Sequence, residues 1–164
     1  MTTPSFRLLL VAMYALWSTA GQSQETKPGA TGVQTFKVDD SGTVVFDPVV
    51  SMQWQPSGPA RGSQIASATT RVSVQLNLAE WVGSSGRIYM SLPQTSGPIV
   101  RATWQTGGTL LGGSMISGQR ALVFAGSIAS PGMRDLFDIR LEVDGSKLFQ
   151  PEALAFGFEI EVNP

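Results

Sequence analysis

The sequence predicts an all-β chain that folds as an antiparallel sandwich of immunoglobulin-like size. Three observations lead to this fold class. Apolar and polar residues alternate along several segments, as they do in strands with one buried face and one solvated face. Glycine, proline, aspartate and serine cluster between these segments, which is typical of turns. Outside the N-terminal segment, no long window has the period of an amphipathic helix.

Three segments alternate most regularly and are predicted strands: 71–78, 135–143 and 153–162. In each of them every second residue is apolar and is expected to face the core. The apolar positions are Val72, Val74, Leu76 and Leu78 in the first segment, Phe137, Ile139, Leu141 and Val143 in the second, and Leu154, Phe156, Phe158, Ile160 and Val162 in the third.

Less regular segments are weaker strand predictions. The glycine pairs at 107–108 and 112–113 are interpreted as hairpin loops, and Asp144-Gly145 as a tight turn. About eight short strands with frequent turns fit one sandwich domain, and 164 residues leave little room for a second. The weaker strands are predicted at 33–38, 43–54, 87–92, 98–105, 120–128 and 147–149.

The N-terminal segment is predicted to be an export signal, residues 1–20. Arg7 precedes ten apolar residues, 8–17, which is about half the length of a membrane-spanning helix. Cleavage is expected after Ala20, with Ser23 as the second choice. The polar tract 21–32 is then a flexible arm. A buried helix that begins the domain is the alternative interpretation of the apolar run.

Composition excludes several classes of function. The chain has no histidine and no cysteine, so it has no Ser-His-Asp triad, no thiolate nucleophile and no zinc site of the usual kinds. The formal net charge of −1 gives no basic surface for nucleic acid. A hydrophobic content of 42% is sufficient for a core. A binding protein, a structural protein or an enzyme that works with carboxylates alone remains.

The carboxylates do not form a convincing catalytic pair. Glu159 and Glu161 share one strand face, but it lies opposite the apolar stripe and is expected to be solvated. Asp39 and Asp40 precede a Ser-Gly pair, which is typical of a turn, and they supply too few oxygens for calcium. We therefore predict no enzyme activity, no catalytic residue, no metal site and no cofactor.

Several segments, taken in order, resemble one family of exported proteins. Segment 43–50 reads Thr-Val-Val-Phe-Asp-Pro-Val-Val, and 98–104 ends in a tryptophan that precedes the paired glycines and aliphatic residues of 107–111. Segment 119–125 is an apolar strand, and 153–162 alternates near the C-terminus. In this order the segments resemble the alpha-type (class 5) colonisation-factor major subunits of chaperone–usher fimbriae.

The resemblance spans most of residues 33–162 and implies an incomplete immunoglobulin-like sandwich that is completed by a strand donated from another subunit. It implies a structural and adhesive role in a fimbria (pilus) at the cell surface, reached through the periplasm. The implied partners are identical or related subunits, a periplasmic chaperone and an outer-membrane usher.

On this resemblance the donor strand is 33–46 and the sandwich domain is 47–164. The apolar donor residues are Val33, Phe36, Val38, Val44 and Phe46, and a break at Asp39 to Gly42 shifts the alternation between them. The strand that borders the groove and receives a donor or chaperone strand carries Phe156, Phe158, Ile160 and Val162.

Two alternatives stay open. Residues 33–46 can pair within their own chain as an ordinary edge strand. The chain can also be a monomeric secreted β-sandwich that binds carbohydrate through Trp54, Trp81 and Trp104, although tryptophans on separate strands more often belong to a core.

Overall fold

The computed structural model describes residues 6–9, 32–54, 65–95, 97–144 and 155–162. Strands make up most of this part of the chain and pair into antiparallel sheets, which confirms the predicted all-β antiparallel sandwich. The 3-10 turn Ala79–Trp81 is the helical element among the described residues, and none of them forms a helix with the length and hydropathy to span a bilayer.

The described strands pair antiparallel and form two sheets. The larger sheet has the order β1-β4-β5-β10-β7-β8, with β3 also paired to β5, and the smaller sheet has the order β2-β11-β6-β9. The strands are β1 (Phe6–Leu9), β2 (Gln34–Lys37), β3 (Val44–Val45), β4 (Val49–Trp54), β5 (Ile65–Asn77), β6 (Ser85–Ser91), β7 (Val100–Thr106), β8 (Gly113–Ile116), β9 (Arg120–Ser127), β10 (Gly132–Asp144) and β11 (Gly157–Val162).

The core lies between the two sheets and follows the predicted alternation. β5 and β10 are the longest strands and pair along their whole length, from Ile65 opposite Asp144 to Asn77 opposite Gly132. Their inward residues are almost fully buried and confirm the predictions for 71–78 and 135–143: Val72, Val74, Leu76, Phe137, Ile139, Leu141 and Val143. Leu78, one residue beyond β5, is buried with them.

Trp104 on β7 anchors the centre of the core. Its ring is 2% exposed and stacks on Phe137, with ring centroids 6.4 Å apart. Its Nε1–H donates to the carbonyl of Leu111 at 2.9 Å. Gly113 pairs with Trp104, and a Cβ at Gly113 would lie 3.0 Å from the indole ring. A side chain at position 113 would therefore crowd the indole ring.

That contact also corrects one prediction. The glycine pair at 112–113 was interpreted as a loop, whereas Gly113 begins β8 and residues 107–112 form the hairpin loop between β7 and β8. Gly113 has no side chain, so it adds nothing to the alternation of apolar and polar residues from which a strand is predicted.

Other predicted boundaries differ from the structure. Segment 43–54 forms two strands, β3 and β4, instead of one. The predicted strand at 147–149 and Leu154 lie outside the described residues. Residues 6–9, within the predicted export signal, form β1 and pair with β4, with Phe6 opposite Met52.

Candidate functional site: the paired terminal strands

The predicted donor and groove segments meet in the structure. β2 pairs antiparallel with β11, with Phe36 opposite Ile160 and Lys37 opposite Glu159. The ladder continues one residue further, because the Val38 N–H donates to the Phe158 carbonyl at 2.9 Å. Both strands belong to the same chain, so the intramolecular alternative left open by the sequence is the arrangement observed for 34–38.

Two side chains of this segment attach it to the core. Val38 is fully buried. Phe36 is partly buried against the core cluster, and its ring centroid lies 6.2 Å from that of Trp81. Opposite them, Phe158 and Ile160 are buried. Phe156 and Val162, the other two predicted groove residues, are partly buried against the same cluster.

The chain crosses from the smaller to the larger sheet directly after Val38. The carbonyl of Asp39 accepts from Asn77 N–H of β5 at 2.9 Å, and an Asp39 carboxylate oxygen accepts from Ser41 N–H at 3.1 Å. The Thr43 N–H then donates to the Asp40 carbonyl at 2.8 Å and closes the turn. Residues 39–42 therefore form a hydrogen-bonded hinge between two sheets.

This crossover occurs at the predicted break, 39–42, and it divides the predicted donor segment 33–46 between the two sheets. Beyond the hinge, Val44 pairs with Ser73 of β5, so this half of the segment belongs to the larger sheet. Val33, Val44 and Phe46 are more than half exposed. Of the five predicted donor residues, only Phe36 and Val38 pack beside β11.

The alternation changes phase at the hinge. Phe36 and Val38 face inward before it, whereas Val45 packs inward after it and Val44 and Phe46 face solvent. Inward residues have even numbers before the turn and odd numbers after it, so one alternating apolar pattern does not continue across residues 39–42.

The two hinge carboxylates have opposite electrostatic environments. Hydrogen bonds from Ser41 hold the pKa of Asp39 below its ordinary value, with a smaller contribution from Asn77. Burial raises the pKa of the Asp40 carboxyl, because desolvation disfavours its charged form. The ionised Asp39 carboxylate therefore stabilises the turn, whereas ionisation of Asp40 destabilises it.

The outward face of β11 carries the predicted carboxylate pair in an ion-pair cluster. The Arg120 guanidinium contacts Glu161 at 2.8 Å and Glu159 at 3.6 Å, and it lies 4.4 Å from the centroid of the Tyr89 ring. Both carboxylates thus face an arginine on the outward side of the smaller sheet, where the side chain of Glu159 is partly exposed and that of Glu161 is mostly covered. This geometry favours a structural role over general acid–base chemistry, which requires a carboxyl aimed at a reacting group.

The tryptophans proposed for carbohydrate binding do not form a common platform among the described side chains. Trp104 lies in the core, which confirms the core interpretation for this residue. Trp81 is partly buried beside Phe36. The side chain of Trp54 lies outside the described part of the structure.

The described residues contain no group of three or more acidic side chains arranged to hold a metal ion. Asp39 and Asp40 bond within the turn and to β5, as the turn interpretation predicts. Anchoring residues such as Asn77 and Thr43 were not predicted, because nothing in the local sequence links β5 to a hinge more than thirty residues away.

Comparisons with known proteins assign no family. No protein-family model matches the chain, and no curated protein matches it. Among solved structures, a carbohydrate-binding module in complex with β-1,4-galactotriose aligns with 80% of this chain and 84% of its own, at 9% identity and a TM-score of 0.28. A TM-score this low establishes neither a shared fold nor a shared ligand.

Proposed function

We propose that the chain is a structural subunit of a surface fimbria and that it joins copies of itself by exchange of β2. The observation that carries the proposal is the pairing of Phe36 with Ile160. The segment that the family resemblance assigns as donor lies in register beside the strand that it assigns as acceptor.

Strand exchange needs no new contact. If residues 32–38 leave β11 and the same residues of a second copy take their place, each hydrogen bond of the ladder and each buried side chain is recovered in the other chain. Domain swapping of this kind is a low-cost route to association. We confine the proposed exchanged unit to 32–38, because 43–46 is bonded separately to β5.

The geometry also favours release of this unit over release of any core strand. β2 is four residues long and pairs with one neighbour among the described strands. Exchange in a head-to-tail sense generates an open filament, because the donor and acceptor surfaces of one subunit differ. The proposal includes export, a periplasmic chaperone that covers the vacated edge of β11, and an usher, as the resemblance implies.

Mixed single-cysteine variants test the exchange. Val38 and Phe158 form a hydrogen-bonded pair, so the next pair, Lys37 and Glu159, is non-hydrogen-bonded, with Cα atoms about 4.5 Å apart. That spacing permits a disulfide, and the chain has no cysteine of its own. Lys37→Cys and Glu159→Cys chains, refolded together at millimolar concentration and oxidised, are expected to give covalent heterodimers.

Two controls make the result specific. A single chain that carries both Lys37→Cys and Glu159→Cys should form an intramolecular disulfide, which shows that positions 37 and 159 are paired within one molecule. A mixture of Thr35→Cys and Glu159→Cys chains is out of register by two residues and should give few heterodimers. If the matched mixture stays monomeric while the double variant closes its disulfide internally, the strand is not exchanged and the proposal is wrong.

A further inference from the structure

A second site is formed where β4 separates from β5. Val45 pairs with Val72, and Gln53 pairs with Ser67. The sequence separation is eight residues between Val45 and Gln53 but only five between their partners on β5. Three extra residues therefore bulge out after β3. Bulges of this kind bend a strand and are common beside functional sites. Here the bulge opens a cleft of about 380 Å³ on the outer face of the larger sheet.

The cleft is lined mainly by neutral hydrogen-bonding groups, together with one carboxylate. Its floor is apolar, because Val50 and Ala68 line it and are themselves buried in the core. Its volume lies at the lower end of the range of about 300–1,000 Å³ for small-molecule sites. The polar lining residues are Asp47, Ser51, Gln53, Ser67 and Thr69.

An exposed aromatic ring lies next to the cleft. Phe46 directly precedes Asp47, and its N–H donates to the Arg71 carbonyl at 3.0 Å. Arg71 and Thr69 are two residues apart on β5 and both are exposed, so Phe46 and Thr69 lie on the same sheet face. The Phe46 side chain is 57% exposed, so its ring is accessible to a ligand bound in the cleft.

The charges around the cleft favour a neutral ligand. Arg71 is paired with Asp138 at 2.7 Å, and Arg140 is paired with Glu142 at 3.0 Å. Arg140, which lies opposite Thr69, and Arg71, two residues along β5 from Thr69, therefore have carboxylate partners, which disfavours a phosphate or another strong anion next to Thr69. Hydroxyls, an amide and a carboxylate beside an exposed ring match a ligand with many hydroxyl groups and an apolar C–H face.

We propose that the cleft between β4 and β5 binds a neutral pyranose unit, with Asp47, Gln53 and Thr69 bonding its hydroxyls and Phe46 packing against its ring. This site differs from the tryptophan site considered from the sequence. It is independent of strand exchange, because β2 and β11 lie in the other sheet.

The test is a titration of the isotopically labelled chain with the methyl glycosides of glucose, galactose, mannose and N-acetylglucosamine. At least one glycoside is expected to shift backbone amide resonances at Ser51, Gln53, Ser67 and Thr69, and to leave those of β11 unchanged. Thr69→Val removes one hydroxyl with little change of shape, and the affinity of this variant for the glycoside is expected to fall about tenfold.

Two further variants complete the test. Phe46→Ala is expected to weaken binding about three- to tenfold. Leu136→Ala removes another exposed apolar side chain from the same sheet surface, outside the cleft lining, and should bind as the unmodified chain does. The proposal is overturned if none of the four glycosides shifts the cleft resonances, or if Thr69→Val and Phe46→Ala bind as well as Leu136→Ala.

Discussion

Val38 offers the most direct test of how the terminal strand is held. Val38→Ala removes two methyl groups from a side chain with no solvent exposure. Each costs about 0.8 kcal/mol in lost transfer free energy, and the cavity adds a further contribution, so that the free energy of unfolding should fall by about 2–3 kcal/mol. For a domain of this size the melting temperature should fall by about 4–12 °C.

The matched control is Val33→Ala, because Val33 precedes the same strand and is 54% exposed. Its effect on the free energy of unfolding should lie within about 0.5 kcal/mol of zero. Thermal and urea unfolding, followed by circular dichroism, measure both variants. Equal stability of the two variants would show that Val38 does not dock in the core as described.

The same substitution separates the rate of exchange from its equilibrium. Closed and exchanged forms make identical contacts at Val38, so their ratio should not change. Release of β2 should become faster by about 30- to 150-fold, if the barrier to its detachment falls by the full loss in the free energy of unfolding. Formation of heterodimers between Lys37→Cys and Glu159→Cys chains measures this rate. A destabilised Val38→Ala chain with an unchanged exchange rate would refute release of β2.

Three further predictions concern the hinge and the core. Asp40→Asn should raise the melting temperature at pH 7 and have no effect at pH 3. Burial raises the pKa of the Asp40 carboxyl above 3.8 in the folded chain. The carboxyl is therefore neutral at pH 3 and does not lower the stability of the fold, whereas its ionisation lowers the stability as the pH rises through the folded-state pKa. Deletion of Ser41 and Gly42 removes the turn that lets one chain reach both sheets, so size-exclusion chromatography should show dimers or larger species in place of the monomer. Gly113→Ala should lower the free energy of unfolding by about 1–3 kcal/mol, because its Cβ would meet the buried ring of Trp104 at 3.0 Å; a urea titration measures the loss, and unchanged stability would contradict the packing described.

The sandwich was predictable because its central strands obey a period of two without interruption. β5 and β10 place apolar residues at every second position from Val72 to Leu76 and from Phe137 to Val143. The first half of β5 gave no such signal, because Ala66, Ala68 and Thr70 are small or polar although all three are buried. Small inward residues are sufficient where the facing sheet supplies the bulk.

The hinge and the cleft were not predictable, because each depends on pairing between distant segments. Asp39 and Ser41 predict a turn, but only the hydrogen bond to Asn77 shows that this turn joins two sheets. Phe46, Asp47 and Pro48 lie within the single strand predicted at 43–54, and only the register against β5 shows that the chain bulges there and opens a cleft.

Whether the terminal strand pairs within one chain or between chains is decided by concentration and by the hinge. The contacts of Phe36 and Val38 are the same in both forms, so they cannot favour either. A short tether gives the intramolecular strand an effective concentration in the millimolar range, and a dilute chain should therefore remain closed, with β2 paired to β11 of its own chain. Under the proposed function, growth of a filament requires that the closed form be prevented while the next subunit is supplied. A chaperone that holds the edge of β11 open would meet that requirement, which explains why a strand that pairs correctly in isolation is compatible with assembly between chains.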